Sequence, residues 1–265
     1  MTDFSIEILS AEGEVKARDA AAGYAGILYK EEYQPGDRIV ITPSAPCHAR
    51  IQTDEVIGSS LLYLTGPFTY VIPFGVTRKN ISPLAFTGMK HYLYVKEADP
   101  SEIRQYRNLA LNVCDQHTAE NAFPHASANV ETRGEAVFFA CNAIDGVLEN
   151  RSHGAWPYQS WGINRDPDAV FTLDFGREVE VDRVVIYIRA DFPHDNWWIR
   201  GTLWFSDGSK LVFPLKKDRF GQELTFEKKR IRWLKLGELI KADDPSPFPA
   251  LTQLEVYGTE GELSE

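Results

Sequence analysis

Cysteine is scarce in this chain: three residues among 265, at positions 47, 114 and 141. No two are close enough for a CxxC metal or redox motif, and the odd count suits reduced thiols better than a disulfide framework. Basic charge is in deficit. Lys and Arg total 28 against 38 Asp and Glu, a formal net charge of −10. That balance argues against nucleic acid or an anionic membrane as partner, since both need a basic face. No apolar run approaches the ~20 residues that span a bilayer. The first residues, Met1-Thr2-Asp3-Phe4-Ser5, lack the basic start and apolar stretch of a signal peptide. A cytoplasmic protein is expected from the chain as written, and a secreted one if a leader precedes it. GxSxG, HExxH, P-loop and dinucleotide fingerprints are missing, as are tandem repeats and low-complexity tracts.

What is present is short alternating or apolar segments bounded by Gly, Pro and Asp. Residues 4–8, 38–42, 48–52, 61–65, 68–74 and 91–96 read as strands of a sandwich or barrel. Residues 15–29 are ambiguous: Ala-rich helical character competes with strand, and Gly23 and Gly26 interrupt it. Asp99-Pro100-Ser101-Glu102 is a helix-start signal, with Ser101 as cap and a short helix expected through Tyr106. Residues 1–112 are therefore read as one β-sandwich domain, 113–125 as a connector and 126–265 as a second all-β domain. Its strands are expected at 169–175, 181–188, 202–205, 210–215, 222–226, 231–236 and 252–257. Asp207-Gly208 makes a hairpin turn between two of them. Lys228-Lys229-Arg230 reads as a solvated turn.

The densest chemistry follows the strand at 181–188. The stretch 189–198 carries Arg189, Asp191, His194, Asp195, Asn196, Trp197 and Trp198. Loops held by a rigid sheet concentrate binding residues. Aromatic faces beside hydrogen-bonding groups suit a sugar ring, which has apolar C–H faces and a rim of hydroxyls. A packed loop with an internal Arg189–Asp191 pair is the structural alternative. A second aromatic loop holds Trp156 and Tyr158 on either side of Pro157, which can present both rings on one rim; Trp161 reads as core. The proline-rich stretch 241–249 reads as a rigid surface connector, or as a segment packed over the aromatic loops. A trio of His48, His91 and His125 has no metal-ligand spacing.

Ala126-Ser127-Ala128, Ala143-Ile144-Asp145-Gly146, Trp161, the run Ala169–Gly176, the strand Val181–Tyr187 and Leu254-Glu255-Val256-Tyr257-Gly258 fall in a telling order. Together they resemble the discoidin, or coagulation-factor type C, superfamily and its bacterial relatives, the family 32 carbohydrate-binding modules. That resemblance implies a galactose-binding-like jelly roll for residues 126–258. It also implies a structural calcium held by Asp145 and Glu255, with backbone carbonyls of the following loop completing the six to eight oxygens. It says nothing about residues 1–112. Two features depart from the family: no Cys pair lies at the domain ends, and the Ser-x-Asp-Gly-x-x-x-Trp pattern is not kept at 206–209.

The expectation is an all-β protein of two sandwiches that binds a glycan without catalysis, through Trp156, Tyr158, Arg189, Asp191, His194, Asp195, Trp197 and Trp198. A structural or protein–protein module, including a homo-oligomer, is the alternative, since Trp and Arg also anchor interfaces. A glycan-processing enzyme with its site between the domains is the third reading.

Overall fold

The computed structural model describes residues 1–149, 154–190 and 196–261. The chain is all-β. Its first unit holds β1 (Asp3–Leu9), β2 (Val15–Ala22), β3 (Tyr24–Tyr29), β4 (Arg38–Pro43), β5 (Cys47–Asp54), β6 (Gly58–Leu64), β7 (Phe68–Val71) and β8 (His91–Glu97). Period-two alternation does the folding here. Phe4, Ile6 and Ile8 of β1 and Ile39 and Ile41 of β4 face inward from one sheet, in the order β2-β1-β4-β7. Ile51, Leu62, Leu64, Leu93 and Val95 face them from the other. The ambiguous segment is strand throughout. Gly23, at φ +76°, turns the chain from the first sheet into the second, a backbone state that favours glycine.

The helix α1 (Pro100–Arg104) corrects the expected cap. Asp99, not Ser101, is the N-cap: its carboxylate accepts from Ser101 N at 2.7 Å, and Glu102 reaches back to Asp99 N at 3.1 Å. Pro100 occupies the first helical position, where no N–H is needed. The helix stops two residues short of Tyr106.

The segment that follows is stitched to both units. β9 (Arg107–Asn108) pairs with the last strand of the chain, whereas β10 (Ala122–Phe123) pairs with β6. Between them Asn112 N donates to Ile144 O, and Val113 N to Ser60 Oγ.

The second unit is the jelly roll the sequence resembles: β11 (His125–Ala128), β12 (Trp161–Gly162), β13 (Phe171–Ile188), β14 (Trp198–Phe205), β15 (Lys210–Pro214), β16 (Gln222–Lys241) and β17 (Ala250–Glu260). Two long bent strands replace the shorter ones expected. The first part of β13 lies between β11 and β16, and the second part between β17 and β16. Gly176, at φ +66°, sits at the bend, where an added Cβ would lie 2.3 Å from the Phe123 ring. Lys228–Arg230 are not a turn; they run inside β16, with Lys228 and Arg230 on its exposed face. The core gathers Trp161, Phe171, Phe175, Trp198 and Phe205, all essentially closed to solvent.

One carboxylate joins the units. Glu260, at the end of β17, receives Arg177 Nε at 2.7 Å and Nη2 at 2.6 Å, and also Arg107 Nη2. His48 Nε2, from β5 of the first unit, lies 3.3 Å away, and the Glu260 side chain is 4% exposed. Burial alone would raise its pKa. The paired hydrogen bonds and the charge of Arg177, with His48 close beside, outweigh burial and hold it far below the usual carboxylate range. A carboxyl depressed in the folded state stabilises the fold above its unfolded pKa of ~4.3, and that contribution is lost as pH falls below it. Glu260→Gln leaves two buried guanidiniums short of a counter-charge, with an expected cost of ~3–5 kcal/mol. Urea unfolding at neutral pH and at pH ~3 tests both statements: the variant should start less stable and lose less on acidification.

Candidate functional site

Four segments meet at one end of the jelly roll: the turns after β11, the chain around β12, Arg189 after β13, and Pro247–Ala250 leading into β17. They enclose a cavity of about 250 Å³, walled by Phe138, Tyr158, Ile163 and Phe248, with Thr132, Ser160 and Asn164 as polar groups. Three arginines, Arg133, Arg165 and Arg189, also line it.

The backbone here is held away from its easy conformations. Arg133 (φ 54°), Asn164 (φ 50°) and Arg165 (φ 63°) are three of the six non-glycine residues with positive φ among the described residues, and all line this cavity. Such residues persist only where the surroundings over-determine them, and they cluster at ligand sites. Thr132 Oγ1 ties the two turns together by accepting Asn164 N at 2.9 Å. Gly162 permits that approach, since a Cβ there would lie 2.6 Å from Thr132 Oγ1.

The arginines are posed by their neighbours. Arg133 makes a fork to Glu135 at 2.6 and 2.9 Å and lies over the Phe138 ring. Arg165 lies 4.6 Å over the Phe248 ring. Arg189 is 3% exposed and donates Nη1 to the Tyr158 carbonyl, while its own N–H donates to Ala250 O. It is therefore a buried strut under the aromatic loop rather than an exposed clamp. Burial raises the Tyr158 phenol pKa, as does the charge of Glu135, against the opposing charges of Arg189 and Arg133.

Trp156 stands 37% exposed beside Tyr158. Both rings line a second, more open cavity of about 390 Å³, whose opposite wall comes from the first unit: Gly75, Arg78, Lys79, Ile81 and Pro83. Tyr158 belongs to both cavities.

Other expected residues fall elsewhere. Trp198 opens β14 and is fully buried, its ring 6.5 Å from that of Trp161, so it is core and not a ligand platform. Trp197 is partly buried against that core and covered by Lys217 Nζ at 4.6 Å. Asn196, fully buried, donates to Ser246 O at 2.7 Å and Ala242 O at 3.3 Å. It thereby pins the proline-rich loop, which proves to be a cavity wall through Pro247, Phe248 and Pro249 rather than a mere connector. Asp191, His194 and Asp195 lie outside the described residues. Phe138, Asn164, Arg165, Arg133 and Phe248 were missed. Turn chemistry in Thr132-Arg133-Gly134-Glu135 and Asn164-Arg165-Asp166-Pro167 was the available signal.

The two acids expected to hold calcium have different side-chain partners, and part of the loop whose carbonyls would complete the shell lies outside the described residues. Asp145 accepts from Val147 N at 2.7 Å and Gln159 Nε2 at 2.8 Å; burial pushes its pKa up to about 7 in spite of those bonds. Glu255 has different company, namely Tyr257, Arg183 and Tyr187. Among the described residues, no group of three or more His, Cys, Asp or Glu side chains converges as a metal site. The three histidines are likewise apart in role: His48 faces Glu260, His91 faces Asp54, and His125 pairs with Asp115 at 2.7 Å.

A third cavity, about 330 Å³, lies between the units, with Tyr70, Asn80 and Asp115 to His117 on one side and Phe139, Cys141, Asn142 and Asp145 on the other. Its acids are engaged by the fold: Asp115 holds His125 and Ala126 N, and Asp145 holds Val147 N and Gln159.

No protein-family model matches the chain, and no curated protein is similar to it. Solved carbohydrate-binding modules are. Chitosan-binding module 1 from the chitosanase/glucanase of Paenibacillus sp. IK-5 is 20% identical over 57% of this chain and 98% of its own, with a TM-score of 0.40. The lectin domain of Lectinolysin, complexed with Lewis B antigen, is 18% identical over 57% of this chain and 96% of its own, at 0.43. The family 32 module of C. perfringens NanJ, in complex with galactose, is 18% identical over 50% of this chain and 91% of its own, at 0.38.

Two expectations sort the tryptophans and the metal. Trp198→Ala should cost ~3–5 kcal/mol in urea unfolding, as buried aromatic truncations do. Trp156→Ala, at the surface, should stay within ~0.5 kcal/mol. Chelation by EDTA tests the metal: a midpoint that falls and recovers with added calcium would support Asp145 or Glu255 as a ligand, and an unmoved midpoint would reject it.

Proposed function

We propose that this chain is a saccharide-binding protein without catalytic chemistry of its own, whose site is the cavity between Phe138, Tyr158 and Phe248. One observation carries the reading: aromatic walls, forked cations and a hydrogen-bonding rim converge on a hollow built from conformationally forced loops. Such a hollow suits a pyranose. Its C–H faces pack on the rings, and its hydroxyls meet Asn164 and the Arg133 and Arg165 guanidiniums. The opening is small, so weak affinity is expected for a single sugar. The interface alternative loses two of its anchors, because Trp198 is buried and Trp197 is packed and capped by Lys217.

Isothermal titration against a panel of neutral and acidic saccharides tests the proposal, with galactose, Lewis b and chitosan oligomers as first probes. Tyr158→Ala and Phe248→Ala should each weaken binding by roughly tenfold, ~1.4 kcal/mol. A blank panel, or binding indifferent to both substitutions, would reject this cavity as the site.

A further inference from the structure

The two cavities at the loop end adjoin along Tyr158, whose ring borders both. Arg133, Arg165 and Arg189 line the first, Arg78 and Lys79 the second, and among the described residues no Asp or Glu lines either. This is a local excess of positive charge on a chain whose net charge is −10. Part of it is already answered: Glu135, beside the cavity, takes Arg133 in a fork and also lies near enough to feel the charge of Lys79, without pairing with it. Arg189 is spent as a strut and need not be counted. Three charges remain. Arg78 donates Nη2 to the carbonyls of Pro83, at 3.0 Å, and Ala85, which carry no formal charge. Lys79 is exposed and has no ion pair among the described residues, and Arg165 lies on the Phe248 ring. Like charges gathered around one groove repel, and an anionic ligand relieves that repulsion.

Size points the same way. At about 250 Å³ the first cavity is below the ~300–1,000 Å³ usual for small-molecule sites, whereas with the adjoining 390 Å³ it falls within that range. We propose that the ligand is an acidic oligosaccharide, bearing carboxylate or sulfate groups, that crosses Tyr158 with sugar units in both cavities. The first sandwich then supplies half of the site, through Arg78 and Lys79. This inference rests on the saccharide reading above and narrows it. A short acidic chain fits the electrostatics better than a long polyanion. The attraction of the patch is screened beyond a Debye length, ~10 Å in ordinary salt, and a longer chain running past it would lie along the acidic remainder of the surface.

The experiment titrates oligogalacturonate, a sulfated oligogalactan, neutral oligogalactan and monomeric galacturonate against the wild type, Lys79→Gln and Arg165→Gln, at low and high salt. Both substituted residues are exposed, and unchanged melting curves verify folding. Acidic oligomers should bind most tightly and weaken with salt. Lys79→Gln should weaken them roughly fivefold, as loss of an exposed ion pair does, while leaving the monomer unchanged. Arg165→Gln should weaken monomer and oligomer alike. Whether the carboxylated or the sulfated chain binds tighter identifies the acidic group. Neutral oligomers binding as tightly, without salt dependence, would overturn the acidic class but not the saccharide reading. A Lys79→Gln variant that binds oligomers like the wild type would overturn the crossing. A single-stranded oligonucleotide of matched charge bound as well, and as dependent on Lys79, would overturn the sugar assignment. A blank against every saccharide would remove both proposals.

Discussion

A single buried carboxylate sets the relation between the halves of this molecule. Glu260 ends the last strand, yet it touches Arg107 from the segment between the units, Arg177 from the bend of β13, and His48 from the first sandwich. Charges taken out of water are costly unless they are paired with good geometry, so such a cluster tolerates few arrangements. The Phe123 ring laid on Gly176 adds a steric condition beside it. The loop-end cavities inherit this rigidity. Arg78 and Lys79 of one sandwich face Trp156 and Tyr158 of the other only because the bodies are held in a fixed relation.

Much of the scaffold was legible in the residues. Strict alternation in Phe4–Ile8 and Arg38–Thr42 gave strands with one buried face, and the ordered pieces from Ala126 to Gly258 gave the jelly roll. Where reading failed, longer-range packing had decided. Trp198 looked like a loop residue because the strand signal begins at Thr202; pairing with Lys241 extends β14 back and turns the indole inward. Lys228–Arg230 looked like a turn because three adjacent cations resist burial, but an edge-on strand face satisfies them as well. The cap at Asp99 lost to Ser101 in the reading because both residue types cap helices and only geometry separates them.

The candidate site was half visible. Tyr158, Trp156 and Arg189 were singled out because aromatic and charged residues stood out in loops after strands, and all three line the candidate cavities. Phe248 was hidden among prolines, and Arg133, Asn164 and Arg165 were hidden in ordinary turn sequences whose positive φ values no composition reveals. The candidate cavity is made by segments far apart in the chain, brought together at one end of a sheet, and that is information carried by topology.

The threading of residues 107–123 has a consequence for how this protein can be used or divided. A spacer between independent modules can be lengthened, cut or exchanged. Here the passage lends one short strand forward to β17 and another back to β6, so each half completes its sheets with chain that a simple cut would assign to the other. Inheritance and engineering alike would have to move the two sandwiches as one cassette.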